Sequence, residues 1–117
     1  MEKEVFYTLI KKERINIDNL FINNIDKQNC IISIQRKDNK EEIYLAFDEL
    51  SHMIKTVLTT NVASALYGYL HVNKVIFNNN ALTQTFHDHI PLFSLSNYMV
   101  ITCIIVYINN FWEKDKC

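Results

Sequence analysis

The chain has 117 residues, 49% of them hydrophobic and 21% charged, with a formal net charge of −1 at pH 7. This length fits one compact domain, and the apolar fraction is enough to form a core, so a disordered chain is excluded. The low net charge argues against a general nucleic-acid binder or a basic membrane-surface module. With one glycine, the chain contains no Gly-rich phosphate-binding motif.

The three cysteines, Cys30, Cys103 and Cys117, follow no CxxC or metal-ligand spacing. An odd number of cysteines with this spacing is typical of a reducing compartment, so we expect a cytoplasmic protein. The charged first residues are followed by no long apolar run, so no secretory signal is predicted. No motif predicts a cofactor.

The first half of the chain predicts four strands, at residues 5–10, 20–25, 30–35 and 43–47. The first is inferred from alternation, in which Val5 and Tyr7 interleave with Phe6 and Thr8. The last two flank a polar stretch that contains Asp38-Asn39, a pair of residues that favours a turn. They form the clearest hairpin in the sequence.

A helix is predicted directly after this hairpin. Asp48 resembles an N-cap residue, and the apolar stripe that follows has the spacing i, i+4, i+7 and i+8. The stripe consists of Leu50, Ile54, Val57 and Leu58. Asn61 is a candidate cap for a second, short helix, and strands are predicted at residues 72–77 and 82–89.

The last predicted element covers residues 100–108, where seven of nine side chains are β-branched. This composition favours a central strand covered on both faces, with a helix beginning near residue 96 as the alternative. The surrounding uncharged stretch has a dense apolar part of only 11 residues, 98–108, whereas a membrane span needs about 20. A buried element is therefore favoured over membrane insertion, and a membrane partner is not expected.

The order of these elements predicts a single α+β domain over residues 1–117. We expect a mostly antiparallel sheet with one or two helices packed on one face.

Residues 61–112 carry only two formal charges, Lys74 and Asp88. Three interpretations compete: central strands wrapped by the charged half, a protein–protein interface with a partner or a second copy, and membrane contact. Interface cores are depleted in charge and enriched in aromatic side chains. The candidate interface anchors are Tyr67, Tyr69, Tyr98, Phe111 and Trp112.

Two histidines suggest metal chemistry, since His87 and His89 would share one face of a strand. A zinc site needs three or four ligands, and no third ligand is visible. The alternative is a polar loop with solvated imidazoles. His52 beside Asp48 or Glu49 resembles an acid/base pair, although such neighbours are common on a first helical turn without a function.

The hairpin tip carries the cations Arg36, Lys37 and Lys40. With aromatic residues such as Phe21 and Tyr44, they would suit a dimeric binder of single-stranded nucleic acid. Acidic neighbours reduce the net positive charge of this cluster. The alternative is a solvated hairpin whose charges prevent its edge strand from pairing with the edge strand of another molecule.

The function that the sequence favours is a non-catalytic small binding protein. Its most concrete form is an intracellular inhibitor, an immunity-type protein or an antagonist that acts through an uncharged, aromatic-rich interface. A single-strand nucleic-acid binder is the first alternative, and a small metal-dependent hydrolase at His87 and His89 is the second. An enzyme is not expected, because no GxSxG, HExxH or Walker pattern is present.

Overall fold

A computed structural model of the chain describes residues 1–58 and 97–116. The helix predicted from Asn61 and the strands predicted at residues 72–77 and 82–89 lie outside them. In chain order the elements are α1 (Lys3–Glu13), a 3-10 turn (Ile17–Asn19), β1 (Leu20–Asp26), β2 (Ile31–Arg36), β3 (Glu42–Ala46), α2 (Phe47–Leu58), α3 (Asn97–Asn110) and α4 (Trp112–Lys116). The predicted α+β class is confirmed.

The three strands form an antiparallel sheet in the order β1-β2-β3. The strands predicted at residues 20–25, 30–35 and 43–47 are therefore confirmed, as is the hairpin between the last two. The turn between β2 and β3 depends on local hydrogen bonds, since the backbone N–H of Glu41 donates to Asn39 Oδ1 at 3.0 Å. Lys40 takes a positive φ of 62° in this turn, where glycine is more usual.

One face of the sheet is apolar and supports the helices. Ile32 and Ile34 of β2 lie opposite Leu45 and Ile43 of β3, and all four are at most 2% exposed. They belong to the same hydrophobic cluster as buried residues of α1, α2 and α3. Side chains between them point the other way, as Tyr44 does with 56% exposure. The helices therefore pack on one face, as predicted.

The strand predicted at residues 5–10 is wrong, because these residues lie in α1. The buried positions are Phe6, Tyr7 and Ile10, whose spacing fits a helix of 3.6 residues per turn better than a strand of period two. Val5, which the alternation placed with Tyr7, is 49% exposed. Lys11 and Lys12 in the last turn complement the helix dipole.

The strand predicted at residues 100–108 is also wrong, because the segment forms α3. Eight of its fourteen residues are buried, and they point in all directions around the axis. The helix packs against α1, α2, α4, β1 and the 3-10 turn. A helix that is buried on all sides requires an apolar run, just as a central strand does, so the composition fits either element. Here tertiary packing overrides the preference of β-branched residues for strands.

The helix predicted after the hairpin is confirmed as α2. Leu50, Met53, Ile54 and Val57 form its buried stripe. The helix begins at Phe47, so Asp48 lies in the first turn and is not the N-cap residue. Glu49 instead folds back toward the start of the helix, and its Oε2 accepts a hydrogen bond from the backbone N–H of Ala46 at 3.4 Å. A glutamate at helix position N3 does the same in a capping box.

None of the helices within residues 1–58 and 97–116 combines the length and the apolar character needed to cross a bilayer.

Candidate functional site

A cleft of about 240 Å³ opens where α1, α2, α3 and α4 meet. Glu4 and Tyr7 lie one turn apart on α1, so they share one face of that helix. On α2, His52 and Met53 lie one turn after Glu49 and share a face with it in the same way. The described residues that line the cleft are Glu4, Tyr7, Glu49, His52, Met53, Tyr107, Trp112 and Asp115.

The inner part of the cleft is aromatic. Tyr7 and Tyr107 are 5% and 4% exposed, and Met53 is buried with them. The half-buried Trp112 meets Tyr7 edge to face, with ring centroids 5.4 Å apart and an interplanar angle of 78°. Edge-to-face pairs of this kind add to the free energy of simple burial. These rings therefore form the inner wall of the cleft and are packed between neighbouring helices.

The outer part of the cleft is polar and is organised by Asp115. Asp115 Oδ2 accepts a hydrogen bond from the Tyr107 hydroxyl and lies 2.9 Å from His52 Nε2. The Tyr107 hydrogen bond, followed by that of His52, holds the pKa of Asp115 below its usual range. Burial and the same hydrogen bond raise the pKa of Tyr107. Asp115 is therefore ionised and Tyr107 protonated at neutral pH.

This arrangement corrects the predicted acid/base pairing of His52. The partner of His52 is neither Asp48 nor Glu49 but Asp115, 63 residues further along the chain. Glu49 is engaged by Lys3, whose Nζ lies 2.8 Å from both carboxylate oxygens. A partner at such a sequence distance cannot be read from local spacing.

Tyr7 has the least satisfied polar group in the cleft. Its hydroxyl is buried and has no hydrogen-bond partner among the described residues. Burial raises the pKa of Tyr7 first, and the negative charge of the nearby Glu49 carboxylate raises it further. The phenol therefore keeps its proton at neutral pH, and its oxygen also retains acceptor capacity.

Three of the five predicted interface anchors lie within the described residues, and all three are half-buried. Tyr98, Phe111 and Trp112 pack against the chain's own hydrophobic cluster. Trp112 also lines the cleft. Tyr67 and Tyr69 lie outside the described residues. The structure thus brings Trp112 to a candidate site and gives Tyr98 and Phe111 contacts with the chain's own core.

The predicted cationic hairpin tip is divided by the structure. Arg36 is 7% exposed; its Nε and one terminal nitrogen lie 3.1 and 2.8 Å from the Asp38 carboxylate. The same nitrogen lies 3.5 Å from Glu13. Lys37 and Lys40 remain exposed. Arg36 therefore ties the hairpin to α1, and this position gives no support to a role for it in nucleic-acid contact.

The predicted metal pair cannot be placed, because His87 and His89 lie outside the described residues. Among residues 1–58 and 97–116, no group of three or more His, Cys, Asp and Glu side chains is arranged to hold a metal ion.

Sequence reasoning missed Tyr7, Tyr107 and Asp115 as members of one site. The available signal was the helical spacing of Glu4 and Tyr7. It was overlooked because the alternation of Val5 and Tyr7 with their neighbours was interpreted as a strand. Asp115 gave no signal, because its place depends on how α4 folds back toward α2.

Comparison of the chain with protein families, with curated proteins and with solved structures finds no match.

Proposed function

We propose that this chain is a non-catalytic binding protein that holds a protein partner at the cleft and its rim. Its concrete form is an inhibitor or immunity-type protein, which acts by occupying a surface of its partner. The observation that carries the proposal is the cleft itself, in which Trp112 and two buried tyrosines lie beneath a rim of carboxylates. Tryptophan and tyrosine in partly desolvated positions are the residues on which protein interfaces most depend.

The resolved pKa shifts support binding over proton-transfer chemistry. A general acid or base works best with a pKa near the operating pH. The pKa of Asp115 is lowered and that of Tyr107 is raised, so each moves away from neutrality. The hydrogen bonds that cause these shifts also fix the side chains in position. Such a rim suits recognition, because a partner meets a surface that is already ordered.

The test is affinity capture from an extract of the source cells, with quantification of one specific partner. Wild type and Tyr44→Ala should retain it, because Tyr44 is exposed on the outer face of the sheet, away from the helices. Trp112→Ala should reduce retention by about tenfold or more, as loss of an interface hot spot does. Circular dichroism confirms folding of each variant, and Trp112→Phe replaces Trp112→Ala if that variant does not fold.

Two results would contradict the proposal. One is that no protein is retained in a saturable manner by the folded wild type. The other is that a specific partner is retained equally by wild type and by a folded Trp112 variant, which would place the interface elsewhere.

A further inference from the structure

We infer that α4 is a strap that docks and undocks as one unit, and that its docked position completes the cleft. Two of the cleft residues, Trp112 and Asp115, come from α4. The other lining residues belong to α1, α2 and α3. A chain with α4 undocked therefore lacks the tryptophan and one carboxylate that partner binding uses, and this regulatory role rests on the proposed function.

Phe111 separates α4 from α3 and is the hinge of the strap. α3 ends at Asn110 and α4 begins at Trp112, so Phe111 lies between the two helices. Within α4, the backbone N–H groups of Lys114 and Asp115 both donate to the Phe111 carbonyl oxygen, at 3.0 and 3.1 Å. A helix of this length is not stable by itself, so α4 depends on its contacts with the rest of the fold.

Side-chain pairs at the surface hold α4 to two other helices. Glu113 pairs with Lys11 of α1 at 2.9 Å, and Asp115 lies 2.9 Å from His52 of α2. The four side chains are between 37% and 70% exposed. Pairs this exposed to water contribute little to stability, so these two links orient the strap without fixing it firmly.

Two tyrosines of the cleft act on the docked state in opposite directions. The Tyr107 hydroxyl donates a hydrogen bond to Asp115, which favours docking. The Tyr7 ring meets Trp112 edge to face, but the Tyr7 hydroxyl is buried and has no partner among the described residues. Such a group disfavours the state that buries it. Undocking moves Trp112 away from Tyr7 and returns that hydroxyl to water.

The balance of these contacts makes the docked fraction easy to shift. Because the surface pairs contribute little and the Tyr7 hydroxyl opposes docking, α4 undocks at a lower cost than the whole chain unfolds. A partner that requires the docked form then has its apparent affinity reduced in proportion to the undocked fraction. The strap thus sets how much of the protein can bind.

Hydrogen exchange tests the strap with the chain alone. We expect the backbone amides of Lys114 and Asp115 to exchange faster than that of Ile104, which is buried in α3. They should share one opening constant, because one event exposes both. The indole N–H of Trp112, the only tryptophan, should exchange in the same event. Different opening constants for these three groups would indicate fraying of the chain end and would overturn the inference.

Three tyrosine-to-phenylalanine variants keep the ring and remove one hydroxyl each. Tyr107→Phe should speed exchange of the Asp115 amide by about tenfold, the effect of one hydrogen bond to a charged group. Tyr7→Phe should slow it by about fivefold, because docking no longer buries an unpaired hydroxyl. Tyr44→Phe is the control and should leave the exchange rate unchanged, since Tyr44 lies on the outer face of the sheet.

Two outcomes with these variants contradict the strap. One is that Tyr7→Phe stabilises the whole chain but leaves exchange in α4 unchanged, because the hydroxyl is then covered without α4. The other is that Tyr107→Phe does not speed exchange. If Tyr107→Phe does not fold, His52→Ala replaces it and should speed exchange by about threefold. None of these measurements needs a partner, so their outcome is separate from that of the capture experiment.

Discussion

Tyr7 combines a ring that stabilises the fold with a hydroxyl that destabilises it. Its ring packs against Trp112 and the core, which stabilises the fold. Its hydroxyl has left water without finding a partner among the described residues, and such a group costs about 1–3 kcal/mol. A residue selected for packing alone would be phenylalanine. The ring and the hydroxyl of Tyr7 therefore affect the stability of the fold in opposite directions.

We predict that Tyr7→Phe raises the free energy of unfolding by about 1 kcal/mol, because it removes a buried, unsatisfied hydroxyl and keeps the ring. Urea denaturation followed by circular dichroism measures the change. Tyr44→Phe is the control, since the Tyr44 hydroxyl is exposed and bonded to Glu42. A Tyr7→Phe protein less stable than wild type would show that the hydroxyl has a stabilising partner in the free protein.

Arg36 shows that strand alternation can identify a buried charge. The side chains of Ile32, Ile34 and Arg36 are two positions apart on β2, so they share the apolar face. The sequence therefore contained the signal that Arg36 points inward, although its position beside a turn suggested solvent exposure. The identity of its partners did not follow from the sequence, because Glu13 comes from α1 and that segment was predicted to be a strand.

At the scale of elements, the chain places residues other than glycine where the backbone is left-handed. Arg14 closes α1 with φ 51° and ψ 52°, while Cys30 and Lys40 also have positive φ. This conformation costs a residue with a Cβ about 1–2 kcal/mol. A glycine-poor chain thus carries small local strain at the ends of otherwise regular elements.

We predict that Arg14→Gly stabilises the protein by about 1 kcal/mol, because glycine adopts this conformation without a Cβ clash. Lys12→Gly is the matched control two residues earlier, inside the helix, where glycine costs about 1 kcal/mol relative to good helix formers. Thermal unfolding of the two variants should therefore give shifts of opposite sign. A loss of stability in Arg14→Gly would mean that the Arg14 side chain contributes more than the strain costs.

The strands were more predictable than the helices, for a physical reason. The burial of β3 alternates along the strand, and β2 directs Ile32 and Ile34 to the same apolar face. A polar turn joins these two strands, so local pattern carries most of the information for them, whereas the burial of β1 does not alternate. For α3, burial on every side removes periodicity, and only the composition remains. Composition pointed to a strand, whereas the contacts that decide the structure come from distant elements.

For the whole molecule, the missing charge in residues 61–112 now has a partial explanation. Over Asn97–Asn110, eight of the fourteen side chains are buried in the chain's own core, so in this stretch the lack of charge reflects an interior position. The cleft instead lies where this helix meets the charged first half of the chain and α4. The sequence named Trp112 as a candidate contact residue, which stays a prediction; the structure places it at the cleft, and the carboxylates around it became visible only in the assembled fold.

The carboxylates also determine how the whole fold responds to acid. The pKa values of Asp26, Asp38, Glu42 and Asp115 are all lowered, with hydrogen bonds from Asn29, Arg36, Tyr44 and Tyr107 as the respective leading causes. The folded state then binds fewer protons than the unfolded state near these values. The resulting stability is present above the ordinary pKa and is lost as the pH falls through the lowered one.

We predict that the urea midpoint is nearly constant from about pH 7 to pH 5 and falls below about pH 4, near the ordinary aspartate pKa of 3.8. Asp38→Asn should be less stable than wild type at pH 7, because it breaks the ion pair of a buried arginine, and its decline in acid should be shallower. Asp18→Asn, which removes a carboxylate that forms no ion pair within the described residues, should retain the wild-type decline. If Asp38→Asn loses stability as steeply as wild type below pH 4, the link between Asp38 and Arg36 does not stabilise the folded state, and the acid response must come from the other carboxylates.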